Sequence, residues 1–456
     1  MNHTVISLLL RTLVITALLT GCGSSFSNEK STETGAPEKE AQLEETPNLA
    51  EADPQLEKTI QILSIWPEDN DNGVLINEIC RKYQEEVNPN FNWEYEVVAS
   101  EDLKQTISTL AASNDLPDIF VYESGKPIRD LIEEDKIVNL SEVLKNYECL
   151  EALNPSAISL LSSLSGTEDI YDLPLGLNVE GFWYHKALFE KAGVEVPKTW
   201  EELEEVLAKL QQAGIQPIAA GGADKWGVTR LINANLVRNV GPDAMKKAAN
   251  GEADYTDAAY VAAAQTIQDW ANQGYFGEDV TTVTMDEAGY LLMNEKAAIF
   301  YNGSWFTLNL NDRAQNLAGE EGIGFFNVPV ISETISAADS YSMNCGNILC
   351  FGKGRYEEAT GWFVKYFVEN MGDTAMRLQG TVKGYRYDEN LAEVSGYTQL
   401  ALDHINSAKS AFTWFESDMG SEVSTVAQEN VQGLLKGELT AEEYMQSIQD
   451  VHDLSK

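Results

Sequence analysis

The sequence has few basic residues, few histidines and no closely paired cysteines. Its 456 residues include 31 lysines and arginines against 72 aspartates and glutamates, which gives a formal net charge of −41 at pH 7. Such a surface repels nucleic-acid phosphates and anionic lipid headgroups, so the composition argues against a nucleic-acid partner and against electrostatic binding to membranes. The histidines stand far apart, and no C-x-x-C motif occurs. The sequence therefore predicts no metal site and no cofactor.

Signatures of common enzymes are missing as well. The chain contains no G-x-S-x-G nucleophile motif, no H-E-x-x-H zinc motif, no P-loop and no Rossmann glycine signature. Pairs of acidic residues, which a glycoside hydrolase needs, are too common in so acidic a chain to indicate one. The sequence also lacks internal repeats, which argues against an adhesive or structural surface protein. We expect a protein that is not an enzyme, and we predict no catalytic residue.

Five cysteines are present, at Cys22, Cys80, Cys149, Cys345 and Cys350. The last four suit buried free thiols, which pack as small hydrophobic groups. A disulfide between Cys345 and Cys350 needs Cα atoms within reach of each other, and an intervening strand would hold them apart. The sequence does not decide whether this disulfide forms.

The first residues resemble an export signal. A short apolar run at 12–20 follows Arg11 and ends in the letters LTGC at 19–22. The run is too short and too polar to make a comfortable transmembrane helix. Its ending resembles the lipobox of bacterial lipoproteins, which implies that the cysteine, here Cys22, carries acyl chains such as palmitate and that the peptide is cut before it. The alternative is an ordinary signal peptide with a chance cysteine.

We therefore expect a lipoprotein signal peptide at 1–21 and a lipidated cysteine with an acidic tether at 22–57. The tether is rich in Ser, Thr, Glu, Pro and Ala and nearly lacks aromatic residues. It cannot bury enough apolar surface to offset its chain entropy, so we predict that it is disordered. Acyl chains would hold the protein at the extracellular face of the cell membrane.

Beyond the tether, strand and helix patterns alternate. Segments 59–66, 92–98 and 118–122 are β-branched or alternate in polarity, which is typical of strands. Helical spacing occupies 73–87 and 101–112 between them. This order predicts an α/β fold with a parallel sheet and helices on both faces. Two further helices begin with capping boxes, at TWEE from residue 199 and TAEE from residue 440.

Several blocks together carry a family resemblance. They are LPDI at 116–119, DLP at 172–174, GFWYHKALFEKAG at 181–193, PKTWEEL at 197–203, KAAI at 296–299, NGSW at 302–305 and GELTAEE at 437–443. In this order, over residues 59–454, the sequence resembles family 1 extracellular solute-binding proteins, the group that includes maltodextrin-binding proteins. His185 stands where that family usually has asparagine, which we interpret as a surface variation.

The resemblance implies a two-lobed, periplasmic-binding-protein-like fold of type II. Each lobe would be a mostly parallel sheet flanked by helices, with the ligand in the cleft between the lobes. Carried over to this chain, the first lobe is 58–178 with 301–345, and the second is 179–300 with 346–456. The chain would cross between lobes near 178–180, 301–303 and 344–347. Gly303 and Gly346 suit such hinges, since glycine tolerates backbone change.

Candidate ligand residues follow from the chemistry of sugars. Their apolar C–H faces suit flat aromatic rings, and their hydroxyls suit carboxylates, amides and guanidinium groups. Trp66 and Tyr122 end predicted strands, at the edge where open α/β sheets bind ligands. The resemblance also places stacking aromatic residues at Trp66, Tyr122 and Trp305. The further candidates are Glu68, Glu123, Asn178, Glu180, Trp226, Tyr385, Arg386 and Trp414.

Most of these candidates have an ordinary structural alternative. The glutamates suit solvated surface positions, Tyr385 and Arg386 suit a surface turn, and the tryptophans suit core packing. Apolar neighbours at helical or strand spacing assign four other tryptophans to the core or to helix faces, namely Trp183, Trp200, Trp270 and Trp362.

The resemblance implies the substrate-binding component of an ABC transporter. Such a protein captures a sugar or oligosaccharide outside the cell and delivers it to permease subunits in the membrane, and we expect it to be a monomer. The alternatives are a solute-binding protein for a peptide, a polyamine or a phosphate ester, and a secreted carbohydrate-active enzyme. The excess of acidic over basic residues disfavours anionic ligands. The number of aromatic residues favours a carbohydrate ligand over simple ions.

Overall fold

The computed structural model describes residues 54–391 and 394–456, which fold into two β-sheets with flanking helices. The predicted signal peptide at 1–21, Cys22 and the tether as far as residue 53 lie outside the described residues. The strands are β1 Lys58–Ser64, β2 Phe91–Val97, β3 Ile119–Tyr122, β4 Asp172–Pro174, β5 Asn178–His185, β6 Gln216–Ala219, β7 Ala297–Gly303, β8 Ile323–Phe326, β9 Ser340–Asn344, β10 Ile348–Phe351 and β11 Ser410–Phe412. The helices are α1 Asp71–Glu86, α2 Leu103–Ala112, α3 Lys126–Glu133, α4 Leu140–Asn146, α5 Pro155–Ser165, α6 Lys186–Ala192, α7 Trp200–Gln212, α8 Trp226–Asn239, α9 Ala244–Ala249, α10 Ala258–Asn272, α11 Met285–Met293, α12 Thr307–Asn311, α13 Glu358–Leu378, α14 Gly396–Ser407, α15 Ser421–Lys436 and α16 Ala441–Leu454.

Local sequence signals place the first elements and two helix starts. The predicted series between residues 59 and 122 is present as β1, α1, β2, α2 and β3. Helix α7 begins with the predicted capping box, in which Thr199 Oγ1 accepts from the Glu202 N–H at 3.2 Å and the Glu202 carboxylate accepts from the Thr199 N–H. Helix α16 begins the same way. These signals are confirmed because each depends only on residues that are close in sequence.

The first sheet has the strand order β2-β1-β3-β10-β4. Strand β1 pairs in parallel with β2 and with β3, as βαβ units require. Strand β10 lies antiparallel between β3 and β4. All four residues of β3 are buried, because helices cover both faces of the sheet at this strand.

The second sheet has the order β11-β9-β5-β7-β6, and β8 also pairs with β5. Strand β5 runs antiparallel to β7, β8 and β9, whereas β6 with β7 and β11 with β9 are parallel. The α/β prediction is confirmed, but the expectation of mostly parallel sheets is wrong, since both sheets are mixed. A strand that enters a sheet without a crossover helix is free to run antiparallel, and β10 follows β9 directly.

The chain passes between the two sheets at short segments. Residues 175–177 join β4 to β5, and residues 345–347 join β9 to β10. The chain returns after α13, which packs against α1 beside the first sheet, towards α14, which packs against β5 of the second. The crossing predicted near 344–347 overlaps the second of these segments, whereas 178–180 lies just after the first, at the start of β5. The third predicted crossing, 301–303, falls within β7 instead, and the chain continues to β8 of the same sheet.

The strand pairing therefore corrects the expected division of the chain. Strands β8 and β9, expected in the first lobe with 301–345, belong to the second sheet. Strand β10, expected in the second lobe with 346–456, belongs to the first sheet. The physical reason is that residues 345–347 carry the chain back to the first sheet. There β10 forms backbone hydrogen bonds with both β3 and β4.

The four tryptophans that were predicted for the core or for helix faces pack there. Trp183 is fully buried, and Trp200 stacks on Trp270 with ring centroids 5.6 Å apart. Trp362 is partly buried and packs edge-on against Tyr147. His185 corrects the sequence interpretation, since it is only 2% exposed rather than a surface residue. It ends β5, where the register with β8 turns the imidazole inward, and burial lowers its pKa.

The cysteines of the described residues are free and buried. The Cys345–Cys350 disulfide, which the sequence did not decide, is therefore not formed. Cys345 lies in a crossing segment and Cys350 lies within β10, opposite Asp172 of β4. Burial raises the pKa of both thiols well above the usual range. Within residues 54–391 and 394–456, no helix combines the length and the apolar character needed to cross a membrane.

Candidate functional site

The candidate site is a cavity of about 740 Å³ between the two sheets. Loops that follow β1 and β3 form one wall, and the starts of α8 and α15 form the other. The crossing segments 175–177 and 345–347 form its floor together with residues 381–383. The carboxyl ends of parallel strands and the crossings between sheets are the places where α/β folds of this type leave room for a ligand.

Four tryptophans line the cavity: Trp66, Trp226, Trp305 and Trp414. The rings of Trp226 and Trp305 lie 6.1 Å apart, centroid to centroid, and are tilted by 56°. The Arg230 guanidinium carbon lies 5.6 Å from the Trp226 ring centroid and 5.2 Å from that of Trp414. The rings thus provide flat apolar surfaces from several directions around one enclosed space.

The loop after β1 holds Trp66 in place through its backbone. The Trp66 N–H donates to Ser64 Oγ at 3.1 Å, and the Tyr95 hydroxyl donates to the Trp66 carbonyl at 2.9 Å. The start of α1 packs so closely on this loop that a Cβ on Gly73 would lie 1.9 Å from the Pro67 carbonyl oxygen. Glycine at position 73 is therefore required for this loop conformation.

Trp305 follows β7 directly, and its ring lies over the backbone of Gly303. A Cβ at position 303 would meet the Trp305 ring at 1.9 Å, so only glycine leaves room for this ring position. Gly303 itself is paired with Glu180 of β5. The conformation of Trp305 is thus fixed by the second sheet, on the side of the cavity that faces Trp226.

A buried polar network joins the cavity floor to the second sheet. The Glu180 carboxylate, 1% exposed, accepts from Arg230 and from Asn344 Nδ2, the latter at 2.7 Å. Asn178 Nδ2 donates to Asn344 Oδ1 at 3.1 Å, and Asn178 Oδ1 accepts from Ser304 Oγ at 3.2 Å. A buried carboxylate needs such partners, because charge is costly to remove from water.

The Arg230 guanidinium remains charged in this network. Burial acts to lower its pKa, but the neighbouring carboxylates of Glu180 and Glu416 outweigh burial, and the pKa is raised. Glu416 in turn accepts from Thr229 Oγ1 at 2.5 Å. The arginine therefore presents fixed N–H donors and a planar cation beside two tryptophan rings.

The other charges around the cavity are also matched by opposite charges. Lys104 Nζ lies 2.9 Å from Glu123 Oε2, and Lys225 Nζ lies 2.5 Å from Glu429 Oε1. Lys383 Nζ lies 3.9 Å from Asp71 Oδ1. Each lining cation thus has a carboxylate near it, so the site presents many donors and acceptors without a strong excess of either charge.

The structure brings most of the predicted ligand residues together. Those that line the cavity are Trp66, Glu123, Asn178, Trp226, Trp305 and Trp414. Glu180 lies just behind the floor, where it anchors Arg230 and Asn344. The two sheets supply these residues from widely separated parts of the sequence.

Four predicted residues lie elsewhere. Tyr122 is 6% exposed and packs edge-on against Phe120, because both faces of β3 are covered. Tyr385 is buried in the core beside Phe367 rather than in a surface turn. Arg386 is exposed to solvent away from the cavity lining. Glu68 is exposed in a separate shallow concavity, because the loop after β1 turns it outward.

Sequence reasoning missed Arg230, Lys383 and Asp71, all of which line the cavity. For Arg230 a signal existed, since it follows Trp226 by four residues on one helix, and such residues share a helix face. For Lys383 and Asp71 no local pattern indicates that the loop after α13 meets the start of α1.

Comparison with known proteins identifies relatives of this chain. A family model described as bacterial extracellular solute-binding protein matches residues 67–346. An ABC transporter extracellular-binding protein of Pyrococcus horikoshii is 22% identical over 299 residues, 65% of this chain and 66% of that protein. An alpha-glucosides-binding periplasmic protein of Rhizobium meliloti is 27% identical over 188 residues, 39% of this chain and 41% of that protein. The chain thus matches less than two thirds of the length of these curated relatives.

Solved structures resemble the chain over a larger share of its length. A chitin oligosaccharide binding protein has a TM-score of 0.77 at 25% identity, covering 87% of this chain and 98% of its own. A sugar transporter from Bacillus licheniformis in complex with stachyose has a TM-score of 0.69 at 18% identity, covering 88% of this chain and 100% of its own. These likenesses confirm the two-lobed type II fold. Since the family model also spans more than half of the chain, the protein belongs to the bacterial extracellular solute-binding protein family.

Proposed function

We propose that this protein binds a neutral sugar or short oligosaccharide in the cavity between its sheets. The observation that carries the proposal is the combination of four lining tryptophans with lining cations that each have a carboxylate nearby. Tryptophan rings suit the C–H faces of sugars, and amides, carboxylates and arginine suit their hydroxyls. An anionic ligand would be repelled by the lining carboxylates, and a cationic ligand by Arg230 and the lysines.

The names of similar proteins support the same ligand class. They include a multiple sugar-binding protein of Streptococcus mutans, 22% identical over 213 residues, which cover 45% of this chain and 48% of that protein. They also include the chitin oligosaccharide binding protein and the stachyose complex described above. The cavity volume of about 740 Å³ fits the range of small-molecule sites.

The partner of such a protein is the permease of an ABC importer. We infer that the chain delivers its ligand there from the extracellular face, as a monomer held by acyl chains on Cys22. The support is the lipobox-like sequence at 19–22 and the acidic tether that follows it. We propose that the role is binding without catalysis, because the similar proteins are named as binding proteins.

A thermal-shift screen of the full-length chain tests the ligand class. The screen uses chitin oligosaccharides, stachyose, raffinose and maltotriose, with a dipeptide, spermidine and glucose 6-phosphate for comparison. A ligand at 100 times its Kd stabilises the folded state by about 2.7 kcal/mol. Over roughly 400 residues this raises Tm by about 3 °C. A sugar should give this shift and be recovered uncut; a shift from the non-sugar compounds alone, or hydrolysis of the sugar, would contradict the proposal.

A labelling experiment tests the anchor independently. Cells that express the wild type or Cys22→Ala grow with an alkyne-tagged palmitate, and the protein is then isolated. Label should appear on the wild type alone. Equal labelling of both forms would show that Cys22 is not the acylated residue.

A further inference from the structure

Lys383 is a buried lysine whose charge the protein only partly satisfies. The residue is 6% exposed and lines the cavity floor. Its ammonium group makes no hydrogen bond with the described residues, and the carboxylate near it is Asp71 Oδ1, at 3.9 Å. Burial lowers the pKa of Lys383, and Asp71 acts against this effect. A buried charge is costly unless it is hydrogen-bonded, so a ligand group in the cavity that accepts from this ammonium group is favoured.

Asp71 is held in an uncommon conformation beside this lysine. It is the first residue of α1, and its φ of 43° lies in the left-handed region, where aspartate is tolerated but rare. Gln379 Nε2, from the segment that leads to Lys383, donates to the Asp71 carbonyl at 2.7 Å. Conformations of this kind are often found at functional sites. This hydrogen bond ties the start of α1 to the segment before Lys383, although the two come from distant parts of the chain.

The spacing of the two groups has a specific chemical use. A direct hydrogen bond between nitrogen and oxygen needs about 2.7–3.2 Å, so 3.9 Å is too long for one. A hydroxyl beside both groups can accept from the ammonium and donate to the carboxylate, because it has both a lone pair and a proton to offer. Charge-assisted hydrogen bonds of this type are stronger than neutral ones.

Two further polar atoms on the same wall lack partners within the described residues, namely Asn72 Oδ1 and Ser124 Oγ. Asn72 is 5% exposed and Ser124 is 1% exposed, and both residues line the cavity. They come from the loop–helix junctions after β1 and β3, which are neighbours in the first sheet. This wall is therefore polar and incompletely hydrogen-bonded.

We propose that Lys383 and Asp71 form a hydroxyl-binding pair that selects for one hydroxyl group of the bound sugar. This inference rests on the proposed sugar-binding function and deepens it. The pair rejects an anion because of Asp71 and a cation because of Lys383, and it discriminates against an analogue that lacks the hydroxyl. Recognition of this kind is strong because the absent hydroxyl leaves two charged groups without partners.

The test compares Lys383→Met with the wild type by titration calorimetry. The probes are the sugar that gives the largest shift in the screen above and the set of its singly deoxygenated analogues. We expect the variant to bind the parent sugar at least about tenfold more weakly. One analogue should bind weakly to the wild type and equally weakly to the variant, because its missing hydroxyl is the one that Lys383 contacts.

The control is Lys353→Met, which removes a lysine that is 52% exposed and paired with Asp135 outside the cavity. It should bind every probe as the wild type does. Lys383→Met should also have at least the wild-type Tm in the absence of sugar, because an apolar side chain of similar length is less costly to bury than an ammonium group without hydrogen bonds. The proposal is overturned if Lys383→Met binds the parent sugar normally, or if it weakens all analogues by the same factor. Failure of the wild type to bind any sugar would instead refute the proposed function.

Discussion

Asp172 offers the sharpest test of how burial controls the stability of this fold. The residue lies in β4, is 1% exposed, and neither carboxylate oxygen has a hydrogen-bond partner in another described residue. Burial raises its pKa to about 8, and its own backbone N–H opposes this only in part. The groups that surround it include the buried Cys345 and Cys350 thiols, whose pKa values burial also raises.

The sign of the pH effect follows from the two states. An unfolded aspartate has a pKa of about 3.9, so between about pH 4 and pH 8 the unfolded chain has released a proton that the folded protein retains. The folded state binds more protons in this window, and stability therefore falls as pH rises. The slope is roughly 1.4 kcal/mol per pH unit, which amounts to about 6 kcal/mol across the window.

Asp172→Asn removes this contribution while keeping the shape of the side chain. The test is urea unfolding at several pH values between about 5 and 8. The free energy of unfolding of the variant should rise relative to that of the wild type by roughly 1.4 kcal/mol per pH unit. The matched control, Asp243→Asn, changes an exposed aspartate and should run parallel to the wild type. If the Asp172→Asn and wild-type curves are also parallel, the carboxyl group does not stay protonated in the folded protein and the reasoning fails.

Three further predictions test the cavity, the core and the buried ion pair beside the cavity. Trp305→Ala should weaken the best sugar at least about tenfold, roughly 1.4 kcal/mol, by calorimetry; wild-type affinity would place the sugar elsewhere. Trp200→Ala should instead lower the free energy of unfolding by about 3–5 kcal/mol without weakening the sugar, because this ring stacks on Trp270 away from the cavity; an affinity loss in folded protein would contradict this. Arg230→Met should cost about 3–5 kcal/mol in urea unfolding, because it leaves Glu180 buried without its cation. The double variant with Glu180→Gln should recover much of that loss, and no recovery would mean that the charge pair is not the cause.

The candidate site was partly predictable because some of its residues sit at positions that local patterns identify. Trp66 follows β1, a strand with clear alternation, by two residues, so its place at a sheet edge follows from the sequence. Tyr122 satisfies the same rule, yet it packs in the core. In a strand that is covered on both faces, alternation does not show which side opens onto a cavity.

The elements from β1 to β3 and the starts of α7 and α16 were determined by the sequence itself. Strand alternation, helical spacing and the capping boxes at Thr199 and Thr440 act over a few residues, and they survive in the structure with small shifts at the ends. The family resemblance added the two-lobed arrangement, because short blocks in a fixed order are preserved when a whole fold is preserved.

Only the tertiary structure decided which strands pair and which charges meet. Strand β5 runs antiparallel to three partners that come later in the chain, and no local signal specifies them. Glu180 became a buried anchor because α8 brings Arg230 to it across the second sheet. Lys383 faces Asp71 because the chain returns from α13 beside the start of α1. Pairings between distant residues depend on how whole elements pack, and that information is not contained in any short stretch of sequence.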